Sequence, residues 1–221
     1  LCNVLEEVIM TISIKILETD VVIKRRIMKA VAKEVNVIFN KAKPRIFTEM
    51  QKLTEKLLFA SPEIQSLQGG DLQAVFGIRK GEEDSVVYAI VKAVSSSVKV
   101  ENIVISARSS MGLRGGMKIY IQPDDFSNLL SLPEGYVFYG EGDANTIPWL
   151  QWLLTLGDKI LIGDYHFEAK DMGRSTMGIM VPKGTFRVPP SYSGTEDNNF
   201  ITRAFARRAG EIAKAIQRSL R

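Results

Sequence analysis

Few stretches of this sequence carry residue types and spacings that could do chemistry, and each is tested against the motif it approaches. Gly173-Arg174-Ser175-Thr176-Met177-Gly178 has the composition of a nucleophile elbow. That motif needs a glycine two residues after the serine, and here the second glycine comes one residue later. A phosphate-cradling loop needs Gly-Lys-Ser/Thr opening a helix, and here strand-like Met177-Gly178-Ile179-Met180-Val181 follows, so the turn chemistry of a hairpin is expected. Ser109-Ser110-Met111-Gly112-Leu113-Arg114-Gly115-Gly116 brings Arg108 and Arg114 beside a glycine-rich segment. It matches no phosphate motif and reads as a hairpin loop.

His166 is the only histidine and Cys2 the only cysteine. No intrachain disulfide and no His/Cys metal set within one chain can be assembled from them. His166 lies in Asp164-Tyr165-His166-Phe167-Glu168, where alternation puts Tyr165 and Phe167 on one side of a strand and the histidine on the other. Asp158, Asp164, Glu168 and Asp171 lack the compact alternation of a calcium loop and read as solvated carboxylates. A hydrolase using two carboxylates from distant positions finds no positive support. Pro189-Pro190 removes two backbone donors and reads as a rigid extended connector pinned by Phe186, Arg187 and Tyr192. No catalytic, cofactor or metal residue is assigned, and the chain is read as a non-enzyme.

The elements that position these residues follow from periodicity. Residues 8–17 contain Ile12, Ile14 and Ile16 in alternation, a strand pattern. From Asp20 the spacing changes: Ile23, Ile27, Val31, Val35 and Ile38 form one face of a helix capped by Thr19 or Asp20 and expected to break or kink at Pro44. Helical spacing resumes through Ile46, Met50, Leu53 and Leu57. Ser61-Pro62-Glu63 then opens a short helix closed by Gly69-Gly70. Ser85 to Val94 fits either a strand or a buried helix. Val98 to Ser106 and Met117 to Gln122 read as strands pairing antiparallel, with Gly135 to Tyr139 and Lys159 to Ala169 as further strands.

Asn145 to Gly157 reads as a helix, with Thr146 as cap, Pro148 in the first turn and Gly157 just past the end. It is apolar nearly all round through Trp149, Leu150, Trp152, Leu153 and Leu156. Such a helix is buried on two sides, against its own core or a neighbouring subunit. The last helix, on a wheel of about 100° per residue, puts Ile201, Phe205, Ala209, Ile212 and Ile216 on one side. Arg203, Arg207, Lys214, Arg218 and Arg221 fall on the other. That basic face fits solvent, an acidic neighbour or DNA phosphate.

These elements predict an α+β fold in one domain, residues 1–221: an antiparallel sheet packed by the tryptophan-containing helix and the C-terminal helix, with N-terminal helices alongside. The N-terminal part, about 19–69, is mostly helical, and the body, about 85–221, is rich in strand. A formal net charge of +4 permits an acidic partner without requiring one. No apolar run is long enough for a bilayer, and no secretory pattern stands at the start of the sequence, so no membrane partner is expected.

Ile147-Pro148-Trp149-Leu150-Gln151-Trp152-Leu153-Leu154, Gly173-Arg174-Ser175 with Met177-Gly178, Phe186-Arg187-Val188-Pro189-Pro190, Ser193-Gly194-Thr195 and Asn198-Asn199-Phe200-Ile201-Thr202-Arg203-Ala204 together resemble the C-terminal part of tailed-bacteriophage neck or tail-completion proteins. The resemblance is strongest over about the last third of the chain and fades toward Ser61-Pro62-Glu63, Gly70-Asp71-Leu72 and Phe76-Gly77. The chain departs from it at Phe186, where family members commonly carry tryptophan. The resemblance implies a virion structural protein of the neck or tail, assembled in the host cytoplasm as a ring, a hexamer or dodecamer. It would join the portal or connector to tail-tube proteins, with DNA passing through its channel, as a tail-completion or tail-terminator protein and without cofactors. Trp149, Trp152, Arg203, Arg207, Lys214 and Arg218 are then the expected interface residues. Arg108 and Arg114 would sit on a loop reaching a neighbour or the channel. The alternative is a nucleic-acid-binding phage accessory protein using the basic C-terminal helix.

Overall fold

The computed structural model describes residues 18–109, 112–138, 146–157, 159–160 and 162–220. The strand expected over residues 8–17 lies outside them. The protein is α+β, as its sequence pattern predicts. The described residues fall into two compact units: the first takes in residues 18–38 and 103–116, the second 39–102 and 117–220.

The longest element is the helix α1, Asp20–Phe59, which runs unbroken through Pro44. The sequence reading placed a break or kink there. Proline deletes one intrahelical bond, but Pro44 is exposed whereas Ala42 and Ile46 beside it are buried, as is Met50 one turn on. Packing of these residues with Val98, Val100 and Ala215 holds the helix on course. Helices α2 (Pro62–Gly69), α3 (Asp71–Phe76) and α4 (Glu83–Ser96) follow. The Ser61 side chain caps α2 by accepting from the Ile64 N–H at 3.4 Å, and Pro62 fills the first turn. α3 ends at Gly77, whose φ of 62° suits glycine best. The run Ser85 to Val94 is helical: Val87, Ile90, Val91 and Val94 are buried at helical spacing, so packing overrides β-branched propensity.

Among the described residues the strands form three separate pairs rather than one sheet: β1 (Lys99–Ser109) with β2 (Gly112–Tyr120), β3 (Val137–Phe138) with β4 (Thr146–Ile147), and β5 (Ile162–Glu168) with β6 (Ile179–Phe186). β1 and β2 reach far into the segment read as a loop, so Arg108 and Arg114 are strand residues. Gly115 makes this possible, because a Cβ there would sit 2.6 Å from the backbone of Val104 and Ile105. In the first unit Asn36 of α1 mimics a peptide, its amide donating to the Ile105 carbonyl at 2.8 Å and accepting from the Ile105 N–H at 2.9 Å.

In the second unit, the short helix α5 (Ser127–Leu130) and a 3₁₀ turn (Pro133–Gly135) lead to β3. The helix expected to open at Thr146 opens later: Thr146 and Ile147 pair with Phe138 and Val137, and α6 is Trp149–Leu154 with Pro148 at its cap. Proline drives the preceding residue out of helical conformation, which makes Ile147 the end of a strand and rules out Thr146 as the cap. The C-terminal segment is also two helices, α7 (Phe200–Phe205) and α8 (Ala209–Ser219), separated by extended Ala206 and left-handed Arg207 with φ 62°. Each serves a different core. Phe200 and Ile201 join Leu58, Leu67, Leu72, Val91, Trp149 and Leu153, whereas Ala215, Ile212 and Ile216 pack on Ile46 and Met50.

Replacing Pro44 by alanine restores one helical bond at an exposed position and should stabilise the fold by about 1–3 kcal/mol. A raised urea midpoint at unchanged slope checks this.

Candidate functional site

The densest polar construction in the second unit centres on Arg203. Asn199 and Thr202 form a capping box at the start of α7: the Asn199 side chain accepts from the Ile201 and Thr202 N–H groups, and the Thr202 hydroxyl accepts from the Asn199 N–H. That cap fixes the first turn of α7 and hence the direction of Arg203. The guanidinium donates from Nε to Glu63 Oε1 at 2.7 Å, and one terminal nitrogen lies 2.7 Å from the same oxygen. It also donates to the carbonyls of Tyr192, Ser193 and Asn198 at 3.1–3.2 Å. The Glu63 side chain is 2% exposed. Its Oε2 is enclosed and accepts from no described residue. One side chain thus ties α2, α7 and the segment after Pro189-Pro190 together.

Close packing completes the construction. A Cβ on Gly194 would lie 1.9 Å from the Leu153 carbonyl oxygen, so only glycine lets the 192–195 segment lie against α6. Asn199 also donates to the Thr195 and Glu196 carbonyls. Trp149, 1% exposed, stacks on Phe76 with ring centroids 4.8 Å apart and donates from its indole nitrogen to the Glu134 carbonyl at 3.1 Å.

This geometry reassigns several expected interface residues. Trp149 belongs to the protomer's own core, and half-buried Trp152 packs against the same cluster. Arg203 points inward and is spent on Glu63, so it is no part of an open basic face. Arg207, Lys214 and Arg218 are exposed. Lys214 and Arg218 share one side of α8, and Arg207 stands apart in the break before it. Arg221 lies outside the described residues. None of Arg207, Lys214 and Arg218 has an ion-pair partner among the described residues. The sequence signal that marks Arg203 as internal is its place four residues after the Asn199 cap, while the glutamate it needs is 140 residues away.

The other candidates resolve as follows. Ser175 is buried and its hydroxyl accepts from the Met177 N–H at 3.3 Å, a turn role. The segment 169–178 connects β5 to β6. His166 is half-buried: Nε2 lies 3.1 Å from Glu168 Oε1, and Nδ1 meets the Lys183 carbonyl. Lys183 and Gly184 there have φ of 80° and 116°. Hydrogen bonding from Lys170, and then from His166, holds the Glu168 carboxyl below its usual range. Asp164 and Asp171 are exposed, Asp158 lies outside the described residues, and no three His, Cys, Asp or Glu among the described residues are grouped to hold a metal. A cavity of about 400 Å³ opens between Val75, Phe76 and Trp149 and the β5–β6 pair at Tyr165, Phe167 and Met180. Its lining is overwhelmingly apolar. Such a surface can take an apolar group but offers no paired acid and base.

No family model, no curated protein and no solved structure matches the chain. No helix among the described residues is long and apolar enough to cross a membrane.

Two predictions test this site. Arg203→Ala leaves a buried carboxylate without its cation and should cost about 3–5 kcal/mol, whereas Arg218→Ala should cost under about 0.5 kcal/mol; urea unfolding compares them. For Glu168, whose carboxyl is depressed in the fold, the stabilising contribution is full above the unfolded value of about 4.3 and fades as pH falls through the lower folded value. Between pH 5 and 3 the melting temperature of Glu168→Gln should therefore fall less than that of the unaltered protein.

Proposed function

We propose that the chain is a virion structural protein of a tailed-bacteriophage neck, one subunit of a ring that joins the portal side of the head to the tail. It is of the tail-completion or tail-terminator type and does no catalysis. The observation that carries this reading is where the resembling residues sit. Ile147–Leu154, Ser193–Thr195, Asn198–Ala204 and Ser61–Glu63 come together around Arg203 and Gly194. The side chains that give the sequence its likeness to neck proteins are consumed in holding a fold, as a structural subunit requires. In an enzyme the distinctive residues would instead converge on a substrate.

In this reading the partners are further copies of the chain in a hexamer or dodecamer, portal or connector proteins, and tail-tube proteins, with DNA passing through the channel. Arg207, Lys214 and Arg218, exposed and without ion-pair partners among the described residues, are the cations offered to an acidic neighbour. Those same three residues favour the second reading, a nucleic-acid-binding accessory protein, because phosphate is the other common partner of free cations.

Light scattering of the purified chain at low and high salt, with two-dimensional electron-microscope classes of the same sample, tests both. A closed ring is expected, and Arg207→Glu with Arg218→Glu should weaken assembly while leaving unfolding unchanged. A monomer that binds DNA with steeply salt-dependent affinity, lost in that double variant, would transfer the assignment to the accessory protein.

A further inference from the structure

The part of α1 in the first unit carries an apolar stripe that the described residues leave open. Ile23, Ile27, Val31, Val35 and Ile38 recur at the spacing of a face meant for burial. The side of the helix turned to the strand pair is a different one: it carries buried Ala32 and the Asn36 amide bound to Ile105. At about 100° per residue, the centre of the stripe lies roughly 120–160° from Ala32 and Asn36. Along it Ile27, Val31 and Ile38 are 52%, 40% and 47% exposed, and Ile23 and Val35 are half-buried. Ala32 and Ile105 are the only buried hydrophobic residues among the described residues of this unit, and neither hydrophobic cluster draws a member from it. An apolar helix face without a core beneath it marks an interaction surface.

The charges on the stripe say what covers it. Lys24 and Glu34 flank Ile27 and Val31 on the same side of the helix, and neither has an ion-pair partner among the described residues. The order along the stripe is cation, isoleucine, valine, anion, symmetric in position about residue 29. A second helix of the same sequence running antiparallel sets Ile27 against Val31 and brings Lys24 level with Glu34, and a two-fold axis repeats both contacts. A parallel copy in register would instead set lysine beside lysine and glutamate beside glutamate, which is repulsive. We propose that this face of α1 docks a second copy of the chain, antiparallel, through Ile27 against Val31 and Ile23 against Val35, with Lys24 and Glu34 as the register-setting pair. The contact is isologous and ends at two copies, so it is separate from the head-to-tail contacts that close a ring and does not rest on the neck reading.

Sedimentation equilibrium of the full chain measures it. The unaltered chain should dimerise, and Lys24→Glu or Glu34→Lys alone should each raise the dissociation constant roughly tenfold by setting like charges together at both ends. An equimolar mixture of the two variants should regain the original affinity, because each heterodimer restores both opposite-charge pairs. Ile27→Asp should abolish the dimer and melt at the temperature of the unaltered chain diluted to monomer. A chain that stays monomeric throughout, or single variants whose loss is not recovered on mixing, would overturn the proposal. So would an Ile27→Asp chain that melts below the unaltered chain diluted to monomer, since that result assigns the stripe to the fold of the single chain. Ring classes in the electron microscope are scored on separate samples, so either reading can fail while the other stands.

Discussion

The ion pair of buried Glu63 with half-buried Arg203 is the constraint on which the second unit depends. A carboxylate withdrawn from water is costly unless its charge is met, and a guanidinium meets it with several donors at fixed angles. Arg203 spends further donors on the carbonyls of Tyr192, Ser193 and Asn198, the last of which also accepts from the Thr195 N–H. The pair therefore does more than join two helices: it provides internal partners for a segment that has neither helix nor sheet ladder of its own. Lysine could neutralise the charge but not fill this geometry.

Gly194 sets how closely the backbone can approach near that pair, while Gly77, with open space around it, and Pro148 act through their φ angles. Gly194 lets the loop lie on the end of α6, and Gly77 turns the chain so that Phe76 reaches the face of Trp149. Pro148 fixes where α6 can begin. These are steric conditions with little tolerance, unlike the apolar positions of the core, where another side chain of similar volume usually serves.

Much of the helical framework was legible because its signals are local. The Ser61-Pro62 cap, the apolar period of α1 and the strand alternation of Met117 to Tyr120 all lie within a few residues of what they determine. What could not be read depends on distant partners. Pro44 does not interrupt α1 because Val98, Val100 and Ala215 hold the helix across it. The C-terminal segment divides at Ala206 and Arg207, with no proline or glycine at the break, because its halves answer to two cores. The candidate site was half legible: a wheel drawn through the break put Arg203 with Arg207 and Arg218, when its glutamate stood far away in the chain. Lys214 and Arg218 kept their shared face because both lie within the single helix α8.

The apolar period of α1 presents the converse case, where the sequence signal is right and the protomer leaves it unused. The stripe of Ile23, Ile27, Val31, Val35 and Ile38 has the spacing of a face that packs on something apolar, yet the strand pair of the same unit is held by a different face, through an asparagine side chain rather than a packed core. An amide pair to one strand fixes position but contributes little of the burial that stabilises a helix of this length. The burial that steadies α1 comes from its other half, where Ala42, Ile46 and Met50 pack on Val98, Val100 and Ala215, and the apolar stripe adds nothing to it within the described contacts. With Lys24 and Glu34 placed symmetrically about the exposed isoleucine and valine, the surface that best complements this helix is the helix itself in reverse.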